Sequence, residues 1–238
     1  MKLHLLALTL AVSGVCAAHQ DAPKQIRVSV QWIEVPHPVL TELSGGEKKS
    51  GAVMHDAVLA HVKEGKAKIV ETSIVVCRSG QRAKVESIRE EIYPVEYEPP
   101  SLTPYIPPSP EQLASKQRNS VFPANRDLIN TFATRNIGVT MEVEPTIGNN
   151  DSIIELRFVP EIVSLGPYVT WMEHKDQWGD ASFRMPVFES WRANASLTVA
   201  NGKFELATVI SPKSTQPTPA VMKKILLFVR ADVITAGR

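Results

Sequence analysis

Apolar and polar residues alternate with period two in several stretches of this chain. In RNIGVTMEVEPTIGNNDSIIELRFVPE (135–161), Val139, Met141 and Val143 alternate with Thr140, Glu142 and Glu144. After the polar turn Gly148-Asn149-Asn150-Asp151, Ile154, Leu156 and Phe158 alternate with Glu155 and Arg157. Period two on both sides of a turn signal predicts two half-buried antiparallel strands. Ile26 to Val35 repeats the pattern, with Ile26, Val28, Val30 and Trp32 on one face, and Pro36 and Pro38 end it.

Other elements follow from the same reading. Ser44-Gly45-Gly46 and Glu47-Lys48-Lys49 read as a loop, and Met54, Val58, His61 and Val62 at helical spacing predict one short helix stopping at Gly65. Lys68–Cys77 and Arg82–Tyr93 read as a hairpin around Arg78-Ser79-Gly80-Gln81, with Gly80 supplying positive φ. Pro94, Pro99, Pro100, Pro104, Pro107, Pro108, Pro110 and Pro123 mark 94–123 as an extended proline-rich loop inside one domain, with a linker between two folds as the other option. Gly166 to Asp180 reads as irregular, and Trp191 to Ala200 as one alternating strand. Asn201-Gly202 then turns it into a return strand, Phe204 to Ile210, as a hairpin. After the proline-rich connection Ser211–Pro219, Ile225 to Ile234 is a final strand, apolar on both faces at first and so buried. The fold class is mainly β: antiparallel hairpins, one short N-terminal helix and proline-rich loops.

The ends and the charge narrow the function. Lys2, the apolar run Leu5–Val15 and the small residues Ala17 and Ala18 form a secretory signal peptide over 1–18, cut after Ala18. The alternative cut before Cys16, for lipidation, has Val15 where a small residue is expected. Residues 19–238, about 220, suffice for one β domain with its own core. The whole chain carries 26 basic and 25 acidic residues, and Lys2 leaves with the signal. A balanced chain offers no electrostatic case for nucleic acid. No further apolar segment of about 20 residues follows, so no transmembrane helix is expected, although short strands can enter a membrane as a closed barrel.

Candidate chemistry is sparse. Cys77 is the only cysteine outside the signal; it ends the apolar run Ile74-Val75-Val76 and reads as a small buried hydrophobe. His55 and His61 are six apart and do not share a helix face as a metal pair would, and His174 and Asp176 lack a third ligand. Ser79-Gly80 and Ser44-Gly45-Gly46 match neither a nucleophile elbow nor a phosphate loop. Glu86, Arg89, Glu90 and Glu91 read as a charged strand face or as salt bridges between subunits rather than as paired acids of a hydrolase. Tyr168, Trp171 and Trp178 are either interfacial anchors at a membrane or ordinary packing. Asn194-Ala195-Ser196 matches a glycosylation acceptor and is set aside. The chain is read as not an enzyme: no catalytic, cofactor-binding or metal-binding residue is assigned, and no cofactor is implied.

Three blocks, in order, resemble the C-terminal membrane domain of secretins, the outer-membrane ring channels of type II and type III secretion and of type IV pili. SIVVCRSGQRAKVESIREEIYPVEYEPP (73–100) resembles the first core hairpin: a strand, a Ser-Gly-Gln turn and a charged strand before a Tyr-Pro bend. RNIGVTMEVEPTIGNNDSIIELRFVPEI (135–162) resembles the block with a Gly-Val start, an alternating strand, Pro, a turn, a second alternating strand and Pro-Glu. MPVFESWRANASLTVANGKFELATVIS (185–211) with KKILLFVRADVI (223–234) resembles the closing part. The resemblance spans roughly Ile26 to Ile234. Leu206-Ala207-Thr208-Val209 stands where the family has a Gly-Gly pair, and Pro212 to Lys224 lacks the family's gate-associated segment.

The resemblance implies a secretin-type β domain, exported to the bacterial outer membrane or periplasm. It implies an oligomeric ring of copies, or partnership with other secretion-system proteins, serving protein secretion or pilus passage. The two departures favour an alternative: a soluble periplasmic β-sheet module that keeps the fold and binds a protein partner without forming a channel.

Overall fold

The computed structural model describes residues 23–45, 49–98, 128–173, 175–176, 179–180, 182–213 and 222–235, with Pro110. The signal peptide and most of the proline-rich loop lie outside the described residues. The strands are β1 (Lys24–Pro36), β2 (Lys68–Arg78), β3 (Ala83–Glu98), β4 (Leu128–Ile147), β5 (Ile153–Met172), β6 (Lys175–Asp176), β7 (Gly179–Asp180), β8 (Phe183–Arg192), β9 (Ala195–Ala200), β10 (Phe204–Ile210) and β11 (Lys223–Thr235). Two helices, α1 (His37–Ser44) and α2 (Gly51–Lys63), stand between β1 and β2.

Sheet A runs β10-β11-β1-β2 and sheet B runs β3-β4-β5-β8, with β9 also paired to β5; every pairing is antiparallel. The second hydrogen-bonded side of β5 is divided. β9 takes its first part, Ile153 to Phe158, and β8 its later part, Glu161 to Met172.

Burial explains the layers. Ile26, Val28, Val30 and Trp32 of β1 with Ile225, Leu227, Val229 and Ala231 of β11 pack against Met141, Val143, Ile154, Leu156 and Phe158 of sheet B. The opposite side of sheet A, through Ile33, Val35, Leu226 and Phe228, is covered by Leu43 of α1 and by Met54 and Val58 of α2. β11 is therefore apolar on both faces because it lies between a helix layer and a second sheet, as its sequence predicts.

Several expectations are corrected. Two helices replace the single one. Pro36 is the N-cap of α1 and Pro38 lies in its first turn, where the missing N–H costs nothing and the fixed φ suits a helix start. Ser50 caps α2 by accepting a hydrogen bond from the Val53 N–H. The two short-turn hairpins are absent as hairpins. β2 pairs with β1 and β3 with β4; β9 pairs with β5 and β10 with β11. Both turns close locally, Gln81 N–H to Arg78 C=O at 3.1 Å and Lys203 N–H to Ala200 C=O at 3.0 Å, and Gly80 and Gly202 have φ of +72° and +76°. Each carries the chain from one sheet to the other. Turn chemistry reverses the backbone without choosing its hydrogen-bonding partner.

β5 runs on to Met172 through the stretch read as irregular, because Gly166 and Pro167 fall in a bulge between Leu165 and Tyr168, where a proline is tolerated. The single strand Trp191–Ala200 is broken into β8 and β9 at Ala193-Asn194. Pro94, expected to begin a loop, sits in β3 at a bulge on a sheet edge. The Gly148–Asp151 turn joins a true hairpin, Ile147 opposite Ile154, with Asn150 and Asp151 at positive φ.

His55 fastens the helix layer to sheet A. Its imidazole is 4% exposed, stacks on Phe204 at 3.8 Å and meets the edge of Phe228 at 5.1 Å. Its Nε2 lies 2.8 Å from Gln31 Oε1 of β1, so the neutral ring donates there. Burial pushes the imidazole below its ordinary 6.5, with Asp56 opposing and Arg230 adding to the effect. As pH falls through about 6.5 the unfolded chain takes a proton that the folded chain refuses, so stability falls with it. Denaturant midpoints of the wild type are expected to drop between pH 7.5 and 5.5, and His55→Phe to flatten that slope. A variant as pH-sensitive as the wild type contradicts this account.

Candidate functional site

β4 and β5 are twenty residues long each, yet only their hairpin ends pack on sheet A. Beyond Gly138 and Ile162 the strands leave the sandwich with β3 and β8 beside them. Met141 and Val143 are at most 1% exposed, whereas Phe132, farther along β4, is 58% exposed. Ile92 of β3 and Trp171 of β5 are 64% and 70% exposed. This outer half of sheet B lies outside both buried clusters.

Gly138 sits where the supported and unsupported halves meet. Its φ is +131°, and a Cβ there would stand 2.1 Å from the Ser87 carbonyl oxygen of the paired strand. Only glycine adopts that backbone without strain. A groove of about 600 Å³ passes over Gly138 between Ile88 and Val163, walled by Glu86, Glu142, Glu161 and Arg192. Arg82 reaches Glu142 at 3.2 Å and Glu144 at 3.6 Å, and Lys84 reaches Glu86 at 2.7 Å. These are exposed pairs of mixed sign, a solvated strand face.

The outer half also carries cross-strand ties of its own. Tyr168 Oη donates to Glu91 Oε1 at 2.9 Å, a hydrogen bond that raises the phenol above its ordinary range. Arg89 lies 3.7 Å from Glu91, and Arg135 stands over the Phe188 ring at 5.2 Å. Tyr93 of β3 meets Phe188 of β8 with ring centroids 5.1 Å apart. β4 pairs with β5 only as far as Gly138 and Val163, so beyond that level β3-β4 and β5-β8 continue as two separate two-stranded ribbons. Cα atoms of β3 and β8 come within 8 Å there, without joining by hydrogen bonds. No closed barrel forms among the described residues.

The remaining sequence candidates are scattered. Cys77 is a half-buried free thiol, pushed up by burial, packed beside the sandwich core. His61 shares α2 with His55 but faces Glu64 at 3.8 Å instead. Ser79 Oγ accepts from the Ile147 N–H at 2.9 Å and Gly80 N–H donates to Pro145 C=O at 2.8 Å, so that turn braces the end of β4. Ser44 closes α1. Asn194 is exposed in the break between β8 and β9 rather than on a strand. His174 and Trp178 lie outside the described residues. Among the described residues no three His, Cys, Asp or Glu side chains gather in metal-binding geometry, and no helix is long and apolar enough to cross a membrane.

The backbone arrangement was compared with known proteins. The chain is similar in structure to secretin-domain proteins. The type II secretin GspD from enteropathogenic Escherichia coli matches over 90% of this chain and 70% of that one, at 10% identity and a TM-score of 0.45. The secretin-domain β-barrel of InvG from the Salmonella SPI-1 injectisome matches over 90% and 64%, at 10% identity and 0.44. ExeD of Aeromonas hydrophila matches over 89% and 48%, at 13% identity and 0.37. The chain thus spans between about half and seven-tenths of these proteins. No family model and no curated protein matches the sequence.

Gly138→Ala is expected to lower stability by more than about 2 kcal/mol, because strained φ and a backbone clash act together. Gly202→Ala, strained in φ but with only the Asp232 carboxylate at 3.6 Å, is expected to lose about 1 kcal/mol. Urea unfolding of both variants tests the ranking, and equal losses would remove the special role of Gly138.

Proposed function

We propose that this chain is a secretin-like structural subunit, exported to the bacterial outer membrane or periplasm, that assembles with copies of itself and supports protein secretion or pilus passage. One observation carries the reading: a sandwich with its own cores holds up two two-stranded ribbons, β3-β4 and β5-β8, whose edges have no further strand among the described residues. Unpaired edges invite further strands, and ring closure between copies removes them. About ten residues of each long strand stand clear; at roughly 3.3 Å per residue that is about 33 Å, a membrane crossing when tilted. The three sequence blocks, in family order, point the same way.

A second reading has its own support. A lipid-facing barrel strand alternates apolar-out and polar-in. On β3, Ile88 and Ile92 alternate with Glu86 and Glu90 on one face, and Arg89 and Glu91 share the other with Tyr93. Neither face is continuously apolar. Leu206-Ala207-Thr208-Val209 also lies inside β10, with a bulge at Ala207, where the family has its Gly-Gly pair. These features favour a periplasmic module that binds a protein partner without conducting.

The native size of detergent-extracted mature protein tests the proposal. A large SDS-resistant assembly in the membrane fraction is expected. A strictly soluble monomer overturns it, and a small soluble oligomer silent in planar bilayers moves the assignment to the second reading.

A further inference from the structure

Beyond Gly138 and Val163 no ladder joins β4 to β5 among the described residues. Each ribbon keeps its own. β3 is paired with β4 from Ala83 to Glu98, and β5 with β8 from Glu161 to Met172. One ribbon can therefore move against the other without breaking a ladder hydrogen bond. Across the fork the two meet through side chains. Tyr168 Oη donates to Glu91 Oε1 at 2.9 Å, Tyr93 meets Phe188 at 5.1 Å, and Arg135 stands over the same Phe188 ring at 5.2 Å.

Register explains why these residues meet. Directly paired residues share a face, and so do residues two apart along a strand. Glu91 is opposite Arg135 and Tyr93 is opposite Ala133, so Glu91, Tyr93 and Arg135 lie on one face of the first ribbon. On the second, Leu165 is opposite Phe188 and Tyr168 is opposite Pro186, three steps along β5 against two along β8. The extra residue is the bulge at Gly166-Pro167. Regular pairing would send Tyr168 to the face away from Leu165. The bulge returns it to the face that Leu165, Phe188 and Pro186 share, which is a common use of a bulge. One face of each ribbon thus presents its share of the contact, and the β5 share exists because of an irregularity in the strand.

Burial marks the same place. Pro186 is buried and Tyr93 and Phe188 are half-buried, although none of them belongs to either core cluster. Ile92, next to Tyr93 but on the other face, is 64% exposed. The fork also carries a glycine on each arm. Gly138, at φ +131°, ends the β4–β5 ladder, and Gly166 lies three residues past Val163. Hinges are a few residues at the ends of paired elements that absorb backbone rotation.

We propose that Tyr93, Arg135 and Phe188, together with the Tyr168–Glu91 hydrogen bond, form a latch that holds ribbon β3-β4 against ribbon β5-β8, and that the ribbons swing apart at the fork when it is released. Release keeps both ladders whole and frees the inner edges of β4 and β5 to accept further strands. The inference concerns a single chain and holds whether or not copies assemble.

Spin labels on Ile92→Cys and Arg184→Cys, in a full chain that also carries Cys16→Ala and Cys77→Ala, report the separation of the ribbons. Dilution into unlabelled protein removes distances between copies. The lever from Gly138 to the level of Thr134 and Ile92 is four residues. At roughly 3.3 Å each that is about 13 Å, so release is expected to lengthen the label distance by about 5 Å or more. The latched chain is expected to give one narrow distance. Phe188→Ala is expected to give a longer and broader one, and Tyr168→Phe, which keeps the ring and loses only the hydrogen bond, a smaller change in the same direction. Amide exchange along the β3-β4 and β5-β8 ladders is expected to stay at its original rate in both variants. An unchanged distance in Phe188→Ala overturns the latch, as does a broad distance before any latch residue is changed. Faster exchange along both ladders overturns the swing, because the ribbons would then be melting rather than parting.

Discussion

Every backbone N–H and C=O in a sheet needs a partner, and sheet B meets this demand in only part of its length. Its hairpin end is buried against sheet A, while beyond Gly138 and Val163 β3 pairs only with β4 and β5 only with β8. The contact of Tyr93 with Phe188 ties the two ribbons together, but β3 and β8 do not join by hydrogen bonds. The architecture thus divides into a platform with two cores and an extension held by its own two ladders.

The platform is built so that the extension can be left open. β1 and β11 are apolar on two sides, one toward sheet B and one toward the helices, so sheet A is locked by two independent cores. The sheet-crossing turns at Ser79-Gly80 and Asn201-Gly202 tie the layers at their edges. The Asn201 side chain accepts from the Val233 N–H at 3.0 Å and donates to the Asp151 carbonyl at 2.9 Å, joining β11 to the β4–β5 turn. Asp232, beneath that turn, receives Arg27 at 3.1 Å and Arg230 at 2.7 Å. Truncating it would leave two guanidiniums facing one another, which makes this corner a point of specificity as well as adhesion.

What the sequence revealed, and what it hid, follows from the range of each signal. Period-two alternation is local, and it located β1, β4 and β5 together with the faces they bury, while a run apolar on both faces located β11. Partner choice is not local. Gly80 and Asn201-Gly202 carry turn chemistry indistinguishable from that of a hairpin, and only the two-layer packing sends their flanking strands into different sheets. Prolines were legible in part. Pro36 and Pro38 do end β1, and Pro38 also lies in the first turn of α1, whereas Pro94 and Pro167 sit in bulges within strands although they read as loop. Gly138 was visible as the opening of the Gly-Val block, but its need for positive φ is a property of its contact with Ser87. The outer edges, where assembly is proposed, showed in sequence only as a charged strand, because no single-chain pattern records a partner in another molecule.

Charge on the outer half bears on which environment it serves. An edge left bare in solution is usually blunted by charges and prolines, and β3 and β8 carry both: Glu90 and Arg192 on the strands, Pro94 and Pro186 in the same direction along the sheet. Blunting by charge of one sign repels every approaching edge. Blunting by opposite signs on opposite edges repels like from like and admits only the head-to-tail encounter. Under the proposed assembly, that arrangement would turn what is otherwise an aggregation hazard into a directional joint, in a membrane or in the periplasm alike. The choice between the two falls to the faces, where Glu86 and Glu90 interrupt the apolar row of Ile88 and Ile92, rather than to the edges.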